Sequence, residues 1–407
     1  MERPSIWLML VIVLLSLLFL REPRLQGYDE RFLRWLLRNS RPQVAMIPLT
    51  VVEIGRDPVV QKKGITAAQS AVSPLEFSLF LQAALDFKPT VVAFESILHW
   101  RGGSKDQEQI FLDQAMRVPK LLAAAELTAS PDLDAPPVEV PAFTQVTGRR
   151  GDLPTFSGFS RQPVEDIRLL STLGFINMPE GVVDEIHVPM LFQYRGEVIP
   201  SFALQAALLW MRVTLAEVKI DIGSAISLPN GRKIPIRFDG TALINPNSAK
   251  RARQLNLNEL LLAAQQHEKK IPAQMNLESL HDEIVLARTI NDPQPSPGLI
   301  AAAIATIQSN SFVRRVSWIF DCSFVVVLLI LSAFVRKFSR IDIVLITIAV
   351  TAAYCLAALA LVARWFIWLP GVLPLSAIWL VAAFCLFAPR RKDDPDLPSI
   401  APSPPSL

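Results

Sequence analysis

The chain has 407 residues, of which 51% are apolar, and its net charge is only +3 at pH 7. So small a charge makes no case for nucleic-acid binding. Its three cysteines, Cys322, Cys355 and Cys385, all fall in apolar runs, so the roughly 295 residues from Arg21 to Arg315 can hold neither disulfide staples nor a cysteine-ligated zinc.

The first apolar run, Ile6 to Leu20, is interrupted only by Ser16. The segment "REPRLQGYDERF" that follows lacks a small-x-small cleavage pattern, which favours an uncleaved signal-anchor over a removed signal peptide. Three further runs lie between Val316 and Ala388, separated by "RKFSR" and "RW". Each is long enough to cross a hydrocarbon core of about 30 Å as a helix. Four spans are expected, at roughly 4–21, 316–335, 341–363 and 366–388. Arg336, Lys337, Arg340, Arg390, Arg391 and Lys392 then fall on one side, which by the positive-inside rule is cytoplasmic. Pro370, Gly371 and Pro374 predict a kink or an unwound entry to the last span.

The long segment between the first two spans alternates strand-like and helix-like stretches. "VAMIPLTVVEI" (44–54) has the β-branched, apolar character of a buried strand. Ser73, Pro74 and Glu76 then mark a helix start, and "PTVVAFESIL" returns to strand. "KDQEQIFLDQAM" predicts an amphipathic helix with Ile110, Phe111 and Met116 on its apolar face. "VPKLLAAAEL" predicts a third strand, so the order of elements points to an α/β domain with a mixed sheet. From Thr128 to about Arg168 scattered prolines dissolve the periodicity, and a long surface excursion is expected. "AISLPNGRKIPIRF" predicts a hairpin turning at Asn230-Gly231. Helices are expected over "PSFALQAALLWMRV" (200–213) and "NLNELLLAAQQHEKK". The stretch from Leu299 either runs as one helix into the second span or breaks at Asn310 and Ser311; the sequence leaves both open.

This order of elements resembles the CHASE domain of type 2, an extracytoplasmic sensory domain of bacterial transmembrane receptors. The resemblance rests on "TVVEI", "KPTVVAFESIL", "LGFINMPEGVVDEIHVPMLFQYRGEVIPSFALQAA" and "GRKIPIRFDGTALIN". "LHDEIVLARTINDP" followed by "PGLIAAAIATIQSNSFVRR" matches that family's closing strand and helix. It implies an N-terminal anchor (1–21), an outer sensory domain (22–315), a three-helix membrane region (316–388) and a cytoplasmic tail (389–407). The family usually has Asp at the ends of its first two strands, where this chain has Glu53 and Glu95. It usually has Gly-Ala after the late strand, where Arg288 follows Ala287 here, which would alter or fill a family pocket. The family usually continues into a cytoplasmic output domain, and none is expected in the tail at 389–407.

Candidate sites are few. Glu53, Glu95 and His99 would share a crevice at the carboxyl ends of neighbouring strands, where ligands of open α/β sheets bind. Plain strand-end residues, satisfied by solvent and helix N-termini, are the preferred reading. In the membrane, Asp321 and Arg364 would form a polar pair, although both reaching interfacial water is preferred. The four histidines have no ligand-like spacing, and neither a metal site nor a cofactor is expected. "GRRGDLPTFSGFSR" (148–161) is a basic loop whose Arg-Gly-Asp is short enough to arise by chance, and no G-x-S-x-G occurs. The expected function is that of a non-enzymatic, multi-pass protein of the bacterial inner membrane. It would sense a small-molecule or protein ligand and signal to a separate effector or within a homo-oligomer. The alternative is an envelope scaffold or assembly factor that uses its outer domain as a protein-binding surface. "RRK" (390–392) would anchor the last span, and the Pro-rich tail beyond it is expected to be extended, either a docking strip or the remnant of a linker.

Overall fold

The computed structural model describes residues 23–40, 46–55, 72–100, 104–130, 138–178, 186–271, 277–289, 298–335 and 339–387. The run at 4–21, the "RRK" anchor and the tail lie outside these residues. Two compact units emerge, an α/β unit (36–314 with 361–368) and a helical unit formed by the rest of the described chain.

Helix α1 (Pro23–Asn39) is followed in the α/β unit by β1 (Leu49–Ile54), α2 (Pro74–Leu85), β2 (Val91–Phe94), α3 (Lys105–Ala115) and β3 (Leu121–Thr128). Then come β4 (Gln145–Thr147), β5 (Thr155–Phe156), β6 (Gly158–Arg161), α4 (Glu165–Leu170) and β7 (Thr172–Phe175). After β8 (His187–Pro189), β9 (Leu191–Tyr194), β10 (Glu197–Pro200) and α5 (Phe202–Met211), the short strands β11 (Lys219–Asp221), β12 (Ala225–Ser227), β13 (Lys233–Pro235) and β14 (Thr241–Leu243) follow. The unit closes with β15 (Arg253–Asn256), α6 (Leu257–Glu268), β16 (Ile284–Thr289) and α7 (Leu299–Ser309).

Six of these strands form a parallel sheet in the order β15-β1-β16-β2-β3-β7, and β6 adds antiparallel to the far end of β3, which makes the sheet mixed. Side chains alternate across it with period two. Leu49, Val51, Val91, Ala93, Leu122 and Leu286 face one core, built with Phe202 and Ala206 of α5 and with Ile300 and Ile304 of α7. Val52, Ile54, Val92, Phe94, Ala123 and Val285 face the other, built with Phe80 of α2, Phe111 of α3 and Leu260 of α6. The result is a sheet covered on both faces, as an all-apolar run such as Val91–Phe94 requires. Gly174 of β7 keeps the space for α5, since a Cβ there would lie 2.8 Å from the Phe202 ring and 3.0 Å from its backbone.

Local signals explain the helix boundaries. Ser73 and Glu76 form a capping box on α2, Asn256 and Glu259 one on α6, and Ser201 caps α5. The hairpin β12–β13 turns where expected, with Gly231 at φ +79° and Asn230 Oδ1 accepting from Arg232 N. Helix α3 is amphipathic through Phe111 and Ala115 alone, since Ile110 (44% exposed) and Met116 (60%) face solvent. The expected excursion at 128–168 instead contributes β4, β5 and β6. Their partners, β11, β9 and β3, supply the pairing, so strands this short leave no periodicity of their own to detect.

Helix α7 stops at Asn310, whose left-handed backbone (φ 50°, ψ 36°) ends the hydrogen-bond ladder with Ser311 N donating to Thr306 O. It does not continue into the second apolar run. The helical unit contains most of α1 with α8 (Trp318–Val335), α9 (Arg340–Trp365) and α10 (Val372–Phe387). Among the described residues only α9 is long and apolar enough to cross a membrane, so the expectation of four transmembrane helices is not carried by the structure. Helix α10 begins at Val372 and not at 366, because Pro370 and Gly371 precede its first turn. Its 16 residues reach about 24 Å, short of a hydrocarbon core of about 30 Å. The described apolar part of α8 is likewise shorter, Ile319–Leu328.

Candidate functional site

The strand order decides what the carboxyl edge of the sheet can do. Strand β16 lies between β1 and β2, and Glu53 is in register with Arg288 while Phe94, just before Glu95, is in register with Ala287. Glu53, Arg288 and Glu95 therefore occupy one level of three adjacent strands, on the face covered by α5 and α7. Arg288 Nη2 donates to Glu53 Oε1 at 2.5 Å, with both side chains about one-fifth exposed (19% and 18%). Glu95 is 1% exposed, and its backbone N–H donates to Ala287 O. Ser96 Oγ and Thr289 Oγ1 lie 2.7 Å apart, which fastens the ends of β2 and β16 to each other. Gly298, the N-cap of α7, lies over Arg288: a Cβ on it would be 3.8 Å from the guanidinium.

Glu53 and Glu95 thus stand on neighbouring strand ends with the bulk and charge of Arg288 between them. His99 is exposed, four residues beyond Glu95, on the segment that leads away from the sheet. What the geometry shows is one ion pair, Glu53–Arg288, with the buried Glu95 at the same level of the next strand, and among the described residues no cluster of His, Cys, Asp or Glu could hold a metal. Residues 56–71, 101–103 and 290–297, which follow these strands, lie outside the described residues.

A second charged cluster belongs to the helical unit. Asp29 of α1, 5% exposed, accepts the N–H of Gly371 at 2.9 Å and of Val372 at 2.8 Å on one carboxylate oxygen. Its other oxygen meets Arg315 Nη2 at 3.1 Å. Asp29 is thereby the cap of α10, a negative group at the positive end of a helix. Gly371 is required at that point, because a Cβ would fall 2.6 Å from the ring of Phe32. Tyr354 of α9 donates its hydroxyl to Pro370 O at 2.5 Å and packs its ring 5.3 Å from that of Phe324.

Asp321, in the first turn of α8, is 1% exposed. The cation beside it is Arg315, at 4.0 Å, where the sequence suggested Arg364, and its Oδ1 has no hydrogen-bond partner among the described residues. Arg364 belongs to the α/β unit and lies over the Trp365 ring at 5.3 Å. Sequence reasoning missed Asp29 altogether, although an acid so soon after an apolar anchor run was a usable signal.

No family model, no curated protein and no solved structure matches this chain.

Proposed function

We propose that this chain is a non-enzymatic, multi-pass protein of a bacterial cytoplasmic membrane. In this reading the α/β unit is an extracytoplasmic sensory domain like CHASE type 2, and it passes a signal to a separate effector or to a second copy of the chain. In this reading α9 crosses the membrane, and the sequence run at 4–21 with the shorter helices α8 and α10 are further membrane-embedded segments. The supporting observation is the outward apolar surface of the helical unit: Ile341 is 74% exposed, Leu356 66%, Ile319 59%, Ile330 59% and Leu380 57%. The apolar window of α9 is only 22% buried, which separates it from the core helix of a soluble protein. Lipid is the solvent that such a surface fits.

The closing elements of the α/β unit support transmission. Ten of the eleven residues of α7 are buried, so this helix cannot shift without disturbing the sheet beneath it. Eight residues, 310–317, then connect it to α8. Within the same unit Arg314 N donates to Phe366 O, which ties the exit of α7 to the segment joining α9 and α10.

Two measurements on the full chain test this reading. In a variant without native cysteines, Cys introduced at Lys105 should react with a membrane-impermeant maleimide in intact spheroplasts. Labelling only after lysis would reverse the topology. Crosslinking in native membranes followed by detergent purification should recover a stable partner or a homo-oligomer, and a strictly monomeric protein would sink the receptor reading. The scaffold reading takes its motive from Leu169 and Phe238, apolar side chains 76% and 63% exposed on the α/β unit. Capture of one defined envelope protein, with no stabilisation by any small molecule, would favour it.

A further inference from the structure

The opposite edge of the sheet carries a feature that neither the resemblance nor the carboxyl-edge row accounts for. Lys88-Pro89-Thr90 leads into β2, Pro119-Lys120 leads into β3, and β2 and β3 are adjacent parallel strands. Their amino-terminal ends therefore bring two lysines side by side. The end of α5 adds Leu208, Leu209, Arg212, Val213 and Thr214, and His281 comes from the segment before β16. Together they line a cleft of about 620 Å³. Four of its eleven lining residues are basic and none is acidic.

Lys120 is half-buried and uses one of its three donors on Leu209 O at 2.7 Å. Burial and the facing Arg212 guanidinium hold its ammonium below the usual lysine range. Both influences are unfavourable to the charge, and an anion placed between the two cations would offset both. The nearest acid in sequence, Asp282, is already engaged by His281 Nε2 at 2.8 Å. Apart from Thr90 and Thr214, the rest of the wall is apolar, from Leu208, Leu209, Val213, Pro89 and Pro119. Lys88 and Arg212 both hold left-handed backbones (φ 50° and 57°) where their chains turn into the cleft.

We propose that this cleft binds a small organic anion, a phosphate or carboxylate with an apolar body, whose charge sits between Lys88, Lys120 and Arg212 and whose body lies on Leu208, Leu209 and Val213. This site stands independently of the receptor reading: an anion that binds without altering any partner interaction would retain the site and remove the sensor.

The test uses the full chain in a non-ionic detergent. Phenyl phosphate titrated calorimetrically should bind saturably at one site and more tightly than inorganic phosphate. The double variant Lys120→Gln/Arg212→Gly removes two charges, and glycine suits the left-handed position. It should weaken binding by roughly tenfold to a hundredfold per charge, while Lys105→Gln, on α3 outside the cleft, should leave it unchanged. Dihexanoyl phosphatidylglycerol as a soluble competitor separates the sources: displacement tighter than by inorganic phosphate assigns the anion to a lipid headgroup, weaker displacement to a free solute. Independently of any variant, phenyl phosphate should protect Lys120 from an amine-reactive reagent, as read by peptide mass spectrometry. Absence of saturable heat, equal binding by the double variant, or unprotected Lys120 would each overturn the proposal.

Discussion

Replacing Arg288 by Met tests whether the carboxyl-edge row is held by its central cation. The lost interaction is a charge-assisted hydrogen bond at 2.5 Å between side chains only about one-fifth exposed. Such a bond contributes about 1.5–3 kcal/mol when well buried, and the residual solvent trims it to about 1–2. Removing the cation also leaves Glu53 and Glu95 facing each other two strands apart, about 9.6 Å. At an effective dielectric constant near 20 that repulsion is at most about 1.7 kcal/mol. R288M should therefore destabilise the α/β unit by about 1–4 kcal/mol and lower its melting temperature by roughly 2–8 °C. Met preserves most of the aliphatic volume over Gly298, so lost packing is a small part of this. Urea denaturation of the full chain in detergent, with E53Q, R288M and the double variant, gives the coupling directly. The double variant should be more stable than the sum of the single losses by at least about 1 kcal/mol, because the neutral amide that E53Q introduces no longer needs the guanidinium. An R288M protein within about 0.5 kcal/mol of wild type, or strictly additive losses, would refute the row as an electrostatic unit.

Asp29→Asn retains the size of the cap but removes its charge, which loses the Arg315 partner and weakens two charge-assisted N–H bonds. The helical unit should lose about 2–4 kcal/mol, measured by thermal unfolding in detergent, and an unchanged transition would show that Asp29 does not hold the start of α10. Asp86 caps the carboxyl end of α2, and burial, then Glu268, holds its carboxyl above the usual range. Its folded pKa is raised, so the charged form is penalised in the fold. That penalty is complete above the folded pKa and vanishes as pH falls below the unfolded value of about 3.9. Asp86→Asn should then stabilise the protein at pH 7.5 by only a few tenths of a kcal/mol, because the group is largely exposed, and the gain should disappear in acid. A gain that persists in acid would point instead to helix propensity.

The local grammar of the α/β unit was legible in the sequence because caps and turns act within four residues. Ser73 with Glu76 and the turn at Gly231 appear where their chemistry places them, as does the break at Pro370-Gly371 in the helical unit. Strand order was not legible, because β16 enters between β1 and β2 from nearly two hundred residues away. Glu53 and Glu95 could be placed at strand ends from their runs alone. Only the insertion of β16 puts Arg288 on the strand between theirs, where it pairs with Glu53. The same reason hid the basic cleft, since Lys88 and Lys120 become neighbours only when β2 and β3 pair in parallel. For Asp321 the sequence pointed to Arg364 as a partner. The cation found within 4.0 Å of it, Arg315, lies six residues earlier in the chain.

The break at Asn310 bears on how any signal would travel. A continuous helix from α7 into α8 would act as a rod, and a glycine inserted between them would abolish coupling. The left-handed stop at Asn310 replaces the rod with a short tether whose first members are fixed: Ser311 is 1% exposed, and Phe312 and Val313 are each 3% exposed. In the helical unit Arg315 is the shared partner of Asp29 and Asp321. Those two acids bind α1 and the start of α8 to one guanidinium, and Asp29 also caps α10. A displacement of a single side chain thus reaches three helices of the helical unit.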